Sequence, residues 1–197
     1  MIFVLNRFDA ARTDALSDAV RVAQAAIRLA PMFLLRDEIP HASAAFAVKF
    51  ADIVRRHRVL HGTDPFANLV IPRDRLIARL MQVLLNLRIR LRAAYVRHSR
   101  FEDQLVGVIT DAAGGLRSAA ATLLELESHQ RLAPREALLR VVESLGEPRF
   151  TEAVAQMSVA REQDVLPPGT PREVVLALDD LAGRMYERAT KLGSAAS

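Results

Sequence analysis

Residues 72–98 read PRDRLIARLMQVLLNLRIRLRAAYVRH, and this stretch decides the fold. Its apolar positions Leu76, Ile77, Leu80, Leu84, Leu87, Leu91 and Ala94 fall three or four apart, so they form one stripe of an α-helix opened by Pro72. At about 1.5 Å per residue such a helix is roughly 40 Å long. Only partners of comparable length can cover it, and they follow in order. Phe101, Leu105, Val108, Ile109, Ala112, Leu116, Ala120 and Leu123 make a second stripe to near Glu127, with Gly114 and Gly115 in its middle suited to close packing or a kink. Pro134 starts a third helix that stops at Gly146, and Phe150, Val154 and Met157 mark a fourth. Thr170 to Glu173 is a capping box that opens a fifth, with Val174, Leu178, Leu181, Met185 and Leu192 facing inward. Residues 163–170, with Pro167, Pro168 and Gly169, are the clearest linker, and the residues after Gly193 read as a frayed tail.

Upstream the pattern is different. Ile2 to Leu5 is a short apolar strand that begins abruptly, as though entered partway, and Met32 to Leu35 is a second. Between them Leu16, Val20, Ala23 and Ile27 recur at helical spacing from Asp14 to Leu29, where Pro31 ends the pattern. Phe46, Val48 and Phe50 alternate with Ala47, Lys49 and Ala51 in the period of two of a third strand, and Arg58 to Leu60 reads as an edge strand. A helix over 43–60 is the competing reading, because Phe46, Phe50, Ile53 and Val54 also share a helical face. Thr63 or Asp64 with Pro65 suits a helix start. The expectation is an α+β, predominantly α-helical chain: a small sheet region over 1–62, then a bundle of about five helices over 63–197.

The chain has 197 residues, 51% of them hydrophobic and 25% charged, and no cysteine. That balance supports a buried core, and it removes disulfides, thiolate metal sites and cysteine nucleophiles from consideration. No apolar run approaches the roughly 18 to 20 residues that span a bilayer, and Arg7, Asp9 and Arg12 break up any signal-peptide core, so the chain reads as cytoplasmic with no membrane partner. Charge is unevenly distributed. Residues 1–48 are neutral, 49–100 carry 12 basic and 3 acidic side chains, and 101–197 carry 10 and 15. A basic middle segment fits a nucleotide, a nucleic acid or an acidic partner, and it fits equally the chain's own acidic helices. Arg58, Arg88, Arg90 and Arg92 are the candidate phosphate-binding residues, and Arg88 and Arg92 with Arg79 or Arg97 are read as lining one side of the long helix. Aromatic residues that would stack bases are sparse, chiefly Phe46, Phe50, Phe66 and Tyr95.

FAVKFADI at 46–53 and HRVLHGTDPF at 57–66 together resemble a group of uncharacterised bacterial nucleotidyltransferase-like proteins. The similarity extends through Arg90, Leu91, Arg92 and Tyr95, then more loosely to the C-terminal helix. It implies a polymerase-β-like nucleotidyltransferase domain followed by a helical bundle like that of the kanamycin nucleotidyltransferase superfamily. It names no substrate. Such transfer uses Mg²⁺ held by clustered carboxylates, because hard cations take oxygen ligands and neutralise the developing charge. In the family these acids come from a Gly-Ser turn, an Asp-x-Asp strand and a third acid on a later strand. Here the turn and the Asp-x-Asp pair are absent, Lys49 occupies the third position, and Asp52 is the candidate residual acid. The expectation is therefore a catalytically incomplete chain that acts by binding a nucleotide or protein partner, with no cofactor, or Mg²⁺ if transfer activity exists. An exposed sheet edge offers a route to a homodimer.

Other chemistries are less well supplied. His57 and His61 are four apart without an acidic third ligand, so no metal site is expected. Arg36 with His41 and Arg56 with His61 match the Arg-x4-His spacing of HEPN-type ribonucleases, which makes an active helical ribonuclease the enzyme alternative, beside a nucleotidyltransferase with a missing upstream segment. A nucleic-acid-binding module using 49–100 is the third reading. Asp179 and Asp180 are adjacent and diverge around a helix, as on a solvated face.

Overall fold

The computed structural model describes residues 1–194, the Arg12 side chain excepted. Its elements are β1 (Ile2–Leu5), α1 (Ala10–Ile27), β2 (Met32–Leu35), α2 (Ile39–Ala45), α3 (Ala47–Arg56), α4 (Arg73–His98), α5 (Glu102–Ser128), α6 (Pro134–Leu145), α7 (Pro148–Gln163) and α8 (Thr170–Ser194), with one 3-10 turn, Arg36–Glu38, ahead of α2. The architecture is thus predominantly α-helical with a small sheet, and α4 to α8 are the five bundle helices. The expected tail begins inside α8, which continues to Ser194; the rest of it lies outside the described residues. No helix among the described residues is long and apolar enough to cross a membrane.

The long stripe acts as its spacing requires. Leu80, Leu84 and Leu91 of α4 are fully buried against Leu105, Ile109 and Leu116 of α5 and Leu178 and Met185 of α8. α5 is central: thirteen of its residues are buried, five of them alanines that let neighbouring helices approach. Its end is set by His129 in the left-handed region (φ 56°), and α6 ends at Gly146 (φ 67°), where a residue without Cβ adopts that conformation freely. Gly114 and Gly115 do not mark close packing, since a Cβ on either would meet no heavy atom within 4 Å, and α5 runs through them as one helix. Gly183 of α8 is the close approach instead, with the Arg88 guanidinium 3.1 Å from where a Cβ would lie.

The amino-terminal unit departs from the strand reading. β1 and β2 pair in parallel, Ile2 opposite Met32 through Leu5 opposite Leu35, and they are the whole sheet among the described residues. Residues 47–56 form α3, as the competing helical reading has it, and Arg58 to Leu60 are irregular and exposed. The alternation that imitated a strand has a physical cause. Val48 and Phe50 lie about 200° apart around a helix; Val48 enters the bundle core with Ala47, whereas Phe50 enters a second cluster with Leu34, Ile39 and Phe66. A helix buried on two opposite sides shows a period near two over a short window. Asp64 does not start a helix either: it accepts the Phe66 N–H at 2.8 Å in a local turn, and helix resumes only at Arg73. α1 has no buried residue among its described side chains, and Val22 and Ile27 are 63% and 70% exposed.

Two stability outcomes follow. Phe50→Ala removes the centre of the second cluster and its edge-to-face contact with Phe66 at 6.0 Å, so it should lower unfolding free energy by about 3–5 kcal/mol in a urea titration. Gly114→Ala fills open space within a helix and should raise it by roughly 0.5–1 kcal/mol; a loss would mean that position needs glycine.

Candidate anion-binding site

The basic segment separates into arginines that hold the fold and arginines that do not. On α3, Asp52 is taken by Arg55, with Nη1 to Oδ1 at 3.3 Å, and by Arg56, whose Nε reaches Oδ1 at 2.9 Å while its Nη2 pairs with Oδ2. Arg55, its side chain only 6% exposed, also pairs with Glu125 of α5, which holds Arg131 at 3.1 Å as well. Arg73 donates to the Leu126 carbonyl at 3.1 Å. The candidate residual acid is therefore an internal partner for arginines, and Lys49 projects from the same helix into solvent. Among the described residues no three His, Asp or Glu side chains are grouped to hold a metal ion.

On α4 the candidate residues divide by helical phase. Arg88 and Arg92, one turn apart, both reach Asp179 of α8, at 3.4 and 3.1 Å. Asp180 turns the other way and pairs with Arg149 of α7, so the adjacent acids diverge as expected and serve as two interhelical ties in place of a solvated face. Arg90, about 160–200° away from both, is exposed and faces a cleft between α4 and α5. Arg97, two turns further on, and His98 line the same cleft, whose volume is about 240 Å³. Ala93, Ala94 and Ala112 keep it open, and Asp111 of α5 stands at its edge. Arg90 and Arg97 form no hydrogen bond or ion pair among the described residues. About 10 Å of helix separates them, a span suited to two phosphate groups or a phosphate and a neighbouring carboxylate.

The structure thus brings Arg90 to a cleft, commits Arg88 and Arg92 to Asp179, and leaves Arg58 exposed beyond the end of α3, outside the cleft lining. The row expected from the sequence, Arg88 and Arg92 with Arg79 or Arg97, is divided: Arg97 is one heptad after Arg90 and shares its face, about 140–180° round the helix from Arg92 and Arg88. The place of Asp111 at the cleft depends on how α5 docks and is not legible in sequence.

His57 has its own use. Its Nδ1–H donates to the Ile53 carbonyl at 3.0 Å and its Nε2–H to the Asp64 carboxylate at 2.9 and 3.0 Å, while its ring meets the Phe66 ring edge-on at 5.6 Å. Both nitrogens are occupied, and His61 lies in the exposed turn, so the two histidines form no metal pair. Neither Arg-x4-His pair shares a helix: Arg36 is in the 3-10 turn and His41 in α2, and Arg56 ends α3 before His61. Arg36 instead donates to Asn6 Oδ1 at 3.3 Å.

Hydrogen bonding to Asp64 raises the His57 pKa above its ordinary 6.5, and the Phe66 N–H, followed by His57, lowers that of Asp64 below 3.8. The histidine contribution is complete below 6.5 and lost as pH rises through its raised value, and the aspartate contribution is complete above 3.8 and lost as pH falls through its lowered value. Stability from this clasp should therefore be greatest between about 3.8 and 6.5. Denaturation midpoints should fall between pH 6 and 9 in the wild type, and His57→Ala should flatten that fall; an unchanged profile in the variant would remove the clasp as its source.

In comparisons with protein-family models, curated proteins and solved structures, nothing matches this chain.

Proposed function

We propose that this is a nucleotidyltransferase-like protein that acts by binding, its bundle holding a phosphate-bearing ligand, a nucleotide first of all, between α4 and α5. One observation carries the reading: Arg90 and Arg97 face a small-residue cleft and pair with no carboxylate, Asp111 at its edge included, whereas Arg88 and Arg92 of the same helix are held by Asp179. Arginine is the side chain suited to this because its planar guanidinium gives two parallel donors to a phosphate oxygen pair. Arg88 and Arg92 contribute by fixing α4 against α8, and they would have to release Asp179 to touch a ligand.

Calorimetric titration with ATP, ADP and pyrophosphate, with and without Mg²⁺, tests this. Binding should weaken about 100-fold or more in the double variant Arg90→Ala, Arg97→Ala, since each lost charge-assisted hydrogen bond contributes about 1.5–3 kcal/mol. No binding, or equal binding by the variant, would sink the reading, and turnover of ATP would replace a binding role by an enzymatic one. If the true ligand is a nucleic acid, affinity should grow with strand length and fall linearly in log K against log salt, as further phosphates reach Arg75 and Arg79.

A second reading is favoured by the sheet. Ile2–Leu5 and Met32–Leu35 carry no charge and no proline, and each strand has an unpaired outer edge among the described residues. Such edges pair with further strands, so a homodimer joined at β1 is expected. Sedimentation at micromolar concentration should show twice the monomer mass, and Val4→Pro should restore the monomer; a wild type that sediments as a monomer would dismiss it.

A further inference from the structure

α4 has two apolar faces, and the core uses one of them. The stripe of Leu76, Ile77, Leu80, Leu84, Leu87 and Leu91 is centred about 150° round the helix from a second row, Leu85, Ile89 and Val96, whose members fall within about 40° of one another. These three aliphatic side chains are 43%, 55% and 82% exposed. Ala78 and Ala93 on the same side are exposed as well. The row is hidden in the sequence because it interleaves with the core stripe: Leu84 and Leu85 are neighbours in the chain, yet one is fully buried and the other is exposed.

The charge on that face is of one sign. α4 carries seven arginines and a single acid, Asp74 in its first turn. Arg73 is taken up by the Leu126 carbonyl, Arg79 by Gln82, and Arg88 and Arg92 by Asp179. Arg75, Arg90 and Arg97 are exposed and pair with no carboxylate among the described residues, and the same holds for Arg100 just beyond the helix. From Arg75 to Arg97 these cations flank the aliphatic row over about 33 Å.

We propose that this face of α4 rests on an anionic phospholipid surface, with Leu85, Ile89 and Val96 entering the acyl boundary and the arginines on the headgroup phosphates. Arginine suits that boundary, because its apolar stem lies beside the acyl chains while the guanidinium stays with the phosphates. A nucleic acid would engage the arginines and leave the aliphatic row in water. A protein partner needs about 800 Å² per side for a stable interface, more than three aliphatic side chains on one convex helix supply. A lipid surface uses both the row and its flanking charge. The contact is with the surface only, since no helix among the described residues is long and apolar enough to cross. The lack of a spanning run, which underlies the expectation of no membrane partner, does not bear on such a contact. Leu85, Ile89, Val96, Arg75 and Arg100 all lie outside the lining of the α4–α5 cleft, so this surface is separate from the ligand site there.

Flotation with vesicles of phosphatidylcholine and phosphatidylserine, about 2:1, tests this, with phosphatidylcholine vesicles as the neutral comparison. The protein should float with the mixed vesicles and not with the neutral ones, and less of it should float as salt is raised. Arg75→Gln with Arg100→Gln should weaken partitioning about 10- to 30-fold, since each basic side chain near an anionic surface contributes about fivefold. Ile89→Gln with Val96→Gln should weaken it at least about tenfold, because the aliphatic contribution is lost. All four positions are exposed and glutamine is a good helix former, so both variants should unfold in urea at the wild-type midpoint. No flotation with the mixed vesicles, or undiminished flotation in either variant, would overturn the proposal. If the vesicles are not bound and polyuridylate is, with the arginine pair weakening that binding and the aliphatic pair leaving it unchanged, the face belongs to nucleic acid instead.

Discussion

The burial of α5, on every side over residues 119–124 and along one face before them, is the constraint on which the rest of the molecule depends. A helix can be surrounded only if its side chains are small or apolar all round, and Ala112, Ala113, Ala119, Ala120 and Ala121 between Leu105, Ile109, Leu116 and Leu123 meet that condition. α4, α6, α7 and α8 then each need one apolar stripe, which their sequences have. α3 joins the assembly by adding Ala47 and Val48 to the same core and Arg55 to Glu125, so the amino-terminal unit is held to the bundle through α5 as well.

Because α5 uses up the apolar surface of its neighbours, the polar residues at the margins decide how the helices are turned. Asp179 with Arg88 and Arg92 sets α4 against α8; Asp180 with Arg149 sets α8 against α7; Glu127 with Arg188 sets α8 against α5. Pairs of this kind add little stability where they are wet, but a carboxylate shared by two arginines one turn apart accepts only a narrow range of helix positions. The tight contact of Arg88 with Gly183 narrows it further.

The bundle was legible in the sequence because each of its helices is buried on a stripe, and a stripe has the helical period. Pro134 and Gly146 marked the ends of α6 for the same local reasons that produce them. α3 was legible only as the competing reading, a helix over 43–60, since Val48 and Phe50 serve two different cores on opposite sides and the resulting pattern has the period of a strand. α1 showed a clean stripe, Leu16, Val20, Ala23 and Ile27, yet that stripe is mostly exposed; periodicity reports what a helix could bury, not what covers it. At the cleft, helical phase already separates Arg90 from Arg88 and Arg92, whereas the identity of their partner, Asp179, is a matter of long-range packing.

The same distinction governs how the charge asymmetry should be understood. A basic middle segment and an acidic end suggested either an external anion or internal neutralisation, and the two turn out to be divided residue by residue. Arg55, Arg56, Arg88 and Arg92 find acids within the fold, whereas Arg58, Arg75, Arg90 and Arg97 pair with no carboxylate among the described residues. Of these, Arg90 and Arg97 lie over one cleft. Net charge therefore says less about recognition here than the residue of unpaired charge after folding, because only a cation without an internal partner can gain more from a ligand than it already has from the protein.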